Sequence, residues 1–230
     1  DGDTPDTLLD HAETAEPATA PGGTVAFYSA ENSAARGRRV RLLQDLRQAL
    51  DRGELNLAYQ PQIALAGERL AGFEALLRWN HGELGQVAPS EFIPLAEESG
   101  LIVPIGSWVM REAARQLKDW REEGLDVPQL TVNVSAVQLR KAGFEQMLAQ
   151  SLAHYGLPPG CLELELTESA AMASRQDATQ QLRELAEVGF TISIDDFGTG
   201  YSSLSRLQTL PLGKLKIDRS FVRDLAHDAN

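Results

Sequence analysis

The chain has 230 residues, 43% hydrophobic and 23% charged, with 21 Lys plus Arg against 33 Asp plus Glu and a formal net charge of -12. That length and balance allow a sizeable buried core in one large domain with a short appendage. The negative field repels polyanions, which argues against a nucleic acid polymer as partner, and any anionic substrate needs a local positive group to hold it.

The first thirty residues read as a tail: a short helical pattern through Leu8 and Leu9, an Ala/Pro/Thr/Gly segment over 15–23, and a brief strand TVAFY. The opening DGDTPDTLLDHAETA has neither the basic start nor the apolar centre of a signal peptide. Residues 31–53 form a connecting helix, with Leu43, Leu46 and Leu50 at helical spacing. From residue 54 onward the chain alternates strands and helices. The strands LNLAYQPQIAL and RLAGFEALLRW, joined through Ala66, Gly67 and Glu68, form an antiparallel hairpin. One helix opens at Ser90 and Glu91 and stops at Gly100, and a second runs from Pro104 to Gly124. The strands QLTVNVS, CLELELTE, FTISIDDF and KLKID follow, with helices expected over 139–155, 175–188 and 202–207 between them. No apolar stretch reaches bilayer length, so no membrane segment is expected. A single cysteine, Cys161, forbids an internal disulfide and reads as a small apolar filler at a strand start; with the missing signal peptide it suits the cytoplasm, although segments outside this chain could tether a parent protein to a membrane.

Repeated strand and helix units imply a parallel sheet with helices outside, as an open doubly wound sheet or a (β/α) barrel. Side-chain alternation decides between them. In LTVNVS, Val132 and Val134 face one way and Thr131, Asn133 and Ser135 the other; LELELTE splits its leucines from Glu163, Glu165 and Thr167; KLKID splits Leu215 and Ile217 from Lys214, Lys216 and Asp218. One face is aliphatic and the other polar or ionic, whereas strands covered on both sides are apolar on both. The fold class is therefore α/β, a barrel whose aliphatic face meets the helices. Its interior gathers Glu74, Asn133, Glu165, Asp195 and Lys216 near the C-terminal strand ends, where barrel enzymes build their sites.

Two carboxylates about 4 Å apart repel by about 4 kcal/mol at an effective dielectric of 20, so Glu74, Glu165, Asp195 and Asp196 in one mouth need compensation. A divalent cation supplies it. The donors are all oxygen, carboxylates plus the Asn133 carbonyl, which suits Mg2+ or Mn2+ and disfavours zinc. The four histidines, His11, His81, His154 and His227, are scattered and never at zinc-ligand spacing. Adjacent Asp195 and Asp196 suggest two ions. Successive strand residues face opposite sides, so both reach one site only where the strand ends, at the following FGTG turn. Lys216 then orients water or stabilises developing charge, or simply pairs with an acid. Arg78 holds a phosphate, or lies on the rim.

In order along the chain, FEALLRW, LTVNVS, LELELTES, TISIDDFGTGYSSL and KLKID resemble the successive signatures of the EAL-domain phosphodiesterases, which linearise the bacterial second messenger cyclic di-GMP to pGpG. The likeness covers roughly residues 40 to 230. It implies a modified TIM (β/α)8 barrel with an antiparallel first strand, metal ligation by Glu74, Asn133, Glu165, Asp195 and Asp196, and catalysis by Lys216. It also implies phosphate contact from Arg78, with Gln60 and Leu76 along the bound nucleotide. Glu168 would hold the loop of Phe197, Gly198, Thr199 and Gly200, which couples the site to a homodimer interface. Residues 1–30 resemble the C-terminal end of a GGDEF (diguanylate cyclase) domain, so an upstream GGDEF domain is expected in a longer parent.

After KLKIDRSFVRDLAHDAN the family pattern continues with two more strand and helix units, carrying a metal-binding glutamate and a glutamine near the substrate. These are absent from the sequence, so 54–230 reads as a C-terminally incomplete EAL domain, and the chain alone is expected to turn over poorly. The rival to hydrolysis is a non-catalytic cyclic di-GMP receptor that signals through its dimer. A carboxylate-pair glycosidase fits less well, because adjacent Asp195 and Asp196 do not flank a sugar bond.

Overall fold

The computed structural model describes residues 4–8, 29–172, 176–198 and 209–223. The expected strand over 24–28 and helix over 202–207, together with Leu9, Thr199 and Gly200, lie outside them. The chain divides into two units between Arg52 and Gly53. In the first, helix α1 (Ala30–Ala49) starts at Ser29, whose hydroxyl accepts the Asn32 N–H at 3.4 Å. Glu31 in its first turn and Arg47 in its last complement the helix dipole.

The second unit is built on one sheet. Its strands are β1 (Leu55–Ala64), β2 (Arg69–His81), β3 (Gly85–Val87), β4 (Leu130–Asn133), β5 (Leu162–Thr167), β6 (Thr191–Phe197) and β7 (Lys214–Ile217). The order is β1-β2-β4-β5-β6-β7, with β3 off the far end of β2. β1 and β2 pair antiparallel from Leu55 opposite Trp79 to Ala64 opposite Arg69; each later step from β2 to β7 is parallel. Among the described residues the sheet does not close, and β1 and β7 are its edges.

Helices α2 (Pro89–Ser99), α3 (Ile102–Glu122), α4 (Ala136–Leu139), α5 (Phe144–Ala153), α6 (Glu168–Met172), α7 (Gln176–Val188) and α8 (Ser220–Arg223) join the strands. α3 starts two residues before Pro104, whose missing N–H is tolerated in a first turn. The helix expected over 139–155 is α5, which starts later, at Phe144, after Gly143 with φ +81; the one-turn α4 before it was not anticipated. β3 was not anticipated: three residues of Gly85–Val87 carry too little alternation to register. No helix among the described residues is long and apolar enough to cross a membrane.

The aliphatic sides of β4, β5 and β6 meet the helices as the alternation requires, and Val132, Leu164 and Ile192 are buried. β7 departs from that pattern, with Leu215 46% and Ile217 63% exposed, since only α8 follows it among the described residues. Cys161 is buried and burial pushes its thiol up, the behaviour of a core filler. His81 ends β2, with Nδ1 accepting the N–H groups of Glu83 and Leu84 in the following turn at 3.1 and 3.2 Å.

The hairpin is fixed to α3 by aromatic contacts. Trp120 meets Tyr59 edge-on at 4.8 Å and Phe73 at 5.0 Å between centroids. Burial, followed by the charges of Glu112 and Asp119, pushes the Tyr59 phenol up to about 12. The folded form thus holds its proton where the unfolded chain releases one. The linked stability is complete below the unfolded value of 10.0 and is lost as pH rises through about 12. A spectrophotometric titration should show one tyrosine ionising about two units late, with stability falling between pH 10 and 12.

α4 is held by a reciprocal cap: Ser135 Oγ accepts the Gln138 N–H at 3.3 Å while Gln138 Oε1 accepts the Ser135 N–H at 3.1 Å. The amide of Gln138 lies where a Cβ on Gly106 of α3 would stand, 1.8 Å from Nε2. Alanine at a helix-interior glycine gains about 1 kcal/mol of propensity, but this contact costs about 1–3 kcal/mol, so packing wins. Gly106→Ala should lower the urea midpoint.

Candidate functional site

The parallel strands end at a common rim, and there the inward faces of five strands meet. Asn133 and Glu165 are register partners on β4 and β5, and Thr167 on β5 stands opposite Asp195 on β6. Glu74 projects from β2 and Lys216 from β7. A cleft of about 750 Å3 opens over them, lined by Glu74, Leu76, Arg78, Asn133, Glu165 and Asp195 together with residues of α2, α3 and the β4–α4 turn.

Lys216 lies at the centre. Its Nζ stands 2.8 Å from Glu74 Oε2 and 2.5 and 2.6 Å from the two oxygens of Glu165. Asn133 donates from Nδ2 to Glu74 Oε1 at 3.0 Å, which keeps its carbonyl oxygen available. Glu165 is fully buried, and its Oε1, though in ionic contact with Lys216, makes no hydrogen bond. Burial pushes the Glu165 carboxyl up to about 7 against the pull of Lys216. Burial works against the charge of Lys216 too, but the hydrogen bonds that it donates to Glu165 and Glu74 outweigh it and raise the ammonium.

The acids do need compensation, and the Lys216 ammonium supplies part of it. Among the described residues no group of three or more His, Cys, Asp and Glu side chains is spaced to hold a metal. The donor chemistry nevertheless fits a hard cation, since the rim offers carboxylate and amide oxygens and a buried Glu165 oxygen without a hydrogen-bond partner.

Asp195 and Asp196 reach the same rim because the backbone turns between them. Asp196 has φ +54, a left-handed conformation that aspartate tolerates better than most residues, and Gly198 follows with φ +100. The β6–β7 ladder is interrupted there, passing from Ile194 opposite Leu215 to Phe197 opposite Ile217. Partial burial, then the charges of Asp195 and Asp218, raise the Asp196 carboxyl. Asp218 is a neighbour that sequence reading left unassigned, although the KLKID alternation already put it on the face of Lys216. Its Oδ1 accepts from both the hydroxyl and the N–H of Ser220, the latter at 2.9 Å.

Of the other expected residues, Arg78 and Leu76 line the cleft, with Arg78 Nη1 donating to the Leu77 carbonyl at 3.0 Å. Gln60 pairs with Glu74 across the hairpin but is exposed and outside the cleft lining. Glu168 is buried, and its Oε2 accepts the Gly198 N–H at 2.8 Å, tying the start of α6 to the turn after β6. Sequence reading also missed Glu97 and Arg140 in the cleft wall, where no periodic signal marks them.

Comparison with known proteins agrees with this architecture. The EAL domain family matches residues 43–230. The chain is 45% identical over 204 residues to MucR of Pseudomonas aeruginosa, a bifunctional diguanylate cyclase/cyclic di-GMP phosphodiesterase, covering 89% of this chain and 30% of that protein. It spans about a quarter to a third of the length of such curated relatives. Among solved structures, the PaMucR phosphodiesterase in its c-di-GMP complex superposes with a TM-score of 0.77 at 48% identity, covering 82% of this chain and 76% of that one. The Xanthomonas citri FimX EAL domain in complex with c-diGMP gives 0.74 at 28% identity, over 85% and 76%. With the match running across the hairpin, all the parallel strands and the charged rim, the chain belongs to the EAL domain family.

Proposed function

We propose that the chain carries the reaction centre of a metal-dependent phosphodiesterase that opens cyclic di-GMP to linear pGpG. The observation that carries this reading is the Lys216 ammonium between Glu74 and Glu165, two carboxylates that line a cleft together with Asn133, Asp195 and Arg78. Opening one phosphodiester adds water: its oxygen bonds to phosphorus, the P–O3′ bond breaks, and the released 3′ oxygen takes a proton. The product retains a 5′ phosphate.

Glu74, Asn133, Glu165, Asp195 and Asp196 would hold Mg2+ or Mn2+, two ions where both aspartates serve. Such ions polarise a phosphoryl oxygen and lower the pKa of bound water. Arg78 offers a guanidinium matched to a phosphate, which an acidic protein otherwise repels. Lys216 is held where an ammonium can donate to attacking water or to developing negative charge. Leu76 gives the nucleotide an apolar wall, and Gln60 flanks it from the neighbouring strand.

Glu168, by fixing Gly198, steadies the turn that begins at Phe197. On this reading that turn links the site to a homodimer interface. A GGDEF domain precedes the connecting helix in the parent, and the protein works in the cytoplasm; the bifunctional name of MucR supports the first part.

Glu74→Ala removes a carboxylate that both Asn133 and Lys216 contact. Turnover of cyclic di-GMP with Mn2+ should fall by about a hundredfold or more, read as pGpG by chromatography. Activity equal to wild type would refute the assignment, and tight binding without any wild-type turnover would favour a receptor.

Lys216→Met leaves the buried Glu165 charge unpaired, which costs about 3 kcal/mol or more. Without the ammonium the Glu165 carboxyl rises further above its unfolded value, so its linked stability is present at low pH and lost as pH rises. In chelator, the drop in Tm should be greater at pH 8 than at pH 5.

A further inference from the structure

Beneath the catalytic rim lies a second charged rung that the reading above does not use. Glu163 sits two residues before Glu165 on the inward face of β5, and Lys214 two residues before Lys216 on β7. Their charges meet at 2.5 Å between Lys214 Nζ and Glu163 Oε2. The Glu163 side chain is 0% exposed and the Lys214 side chain 39%. Glu163 Oε1 makes no hydrogen bond, and neither does the buried hydroxyl of Ser193, the ladder partner of both Glu165 and Lys214. Each lysine therefore crosses β6 to reach a glutamate on β5.

Two carboxylates on one strand face, about 7 Å apart at 3.3 Å per residue, both lie within the sweep of a lysine stem. Backbone pairing does not decide which one Lys216 takes. The β6–β7 ladder pairs Lys214 and Leu215, skips Lys216, and resumes at Ile217. A fully buried carboxylate needs a partner, and among the described residues Glu163 finds it in Lys214. Resting on the assignment of Lys216 to catalysis, we infer that Lys214 is a positioning residue for the reaction: by saturating Glu163 it keeps the Lys216 ammonium on Glu74 and Glu165.

The test compares Lys214→Met, Lys214→Arg and the double variant Glu163→Leu/Lys214→Met with wild type. In Lys214→Met the freed Glu163 captures Lys216, so kcat for cyclic di-GMP falls about tenfold to a hundredfold while KM changes less than about twofold. Arginine keeps the lower rung and restores kcat. The double variant removes the competing carboxylate, and its kcat returns to within about threefold of wild type. A purely structural pair would lower Tm in all three without this pattern of rescue, and that result would overturn the inference. A crystal structure of Lys214→Met, grown in chelator, reads the same question without turnover: Lys216 Nζ should lie on Glu163, and an ammonium still bridging Glu74 and Glu165 sinks the idea. That readout also separates this inference from the proposed activity, since a wild-type chain that hydrolyses nothing leaves it intact. Should Lys214→Met not fold, the double variant decides: a folded protein with near wild-type kcat supports charge competition, and a tenfold loss overturns it.

Discussion

The constraint on which the site depends is one ammonium shared by two glutamates. Glu74 and Glu165 come from strands with β4 between them, and Lys216 comes from the far edge of the sheet. Bringing these three groups to one point requires every intervening parallel register to be right, so the ion cluster and the sheet topology stand or fall together. The desolvation cost of Glu165 is met only while Lys216 is in place, and the amide of Asn133 adds a hydrogen bond that turns Glu74 toward it.

Lys216 thus offsets part of the rim's negative charge, while Asp195, Asp196 and Asp218 still crowd one another. A cationic side chain held this close to two carboxylates is a preorganised positive group at the rim. Arg78 lines the cleft, and the buried Glu168 grips the turn after β6.

Much of this could be read from the amino acids. The parity of LTVNVS, LELELTE and KLKID separates the polar interior from the helix-facing side, and the structure keeps that separation in β4 and β5. The hairpin follows from Ala66 to Glu68, and the motif order gives the family. What stayed hidden depends on distances between strands. Nothing in a linear pattern says that Lys216 bridges Glu74 and Glu165, so charge balance was assigned to a metal. The left-handed Asp196 was legible only as a turn somewhere after the aspartates, since glycines advertise the bend and aspartate does not. Gly143 delays the start of an expected helix because its φ, not a hydrophobic pattern, sets the boundary.

β7 carries Lys214, Lys216 and Asp218 at a spacing of two, and Leu215 and Ile217 at the alternate positions. Insertion of a single amino acid between Gly213 and Lys214 would exchange the two sets, turning both ammonium groups out of the interior and burying aliphatic side chains among carboxylates. Point replacement in this strand alters one contact, whereas a length change inverts all of them. β7 is thus a segment whose residue count is under far stricter control than its composition.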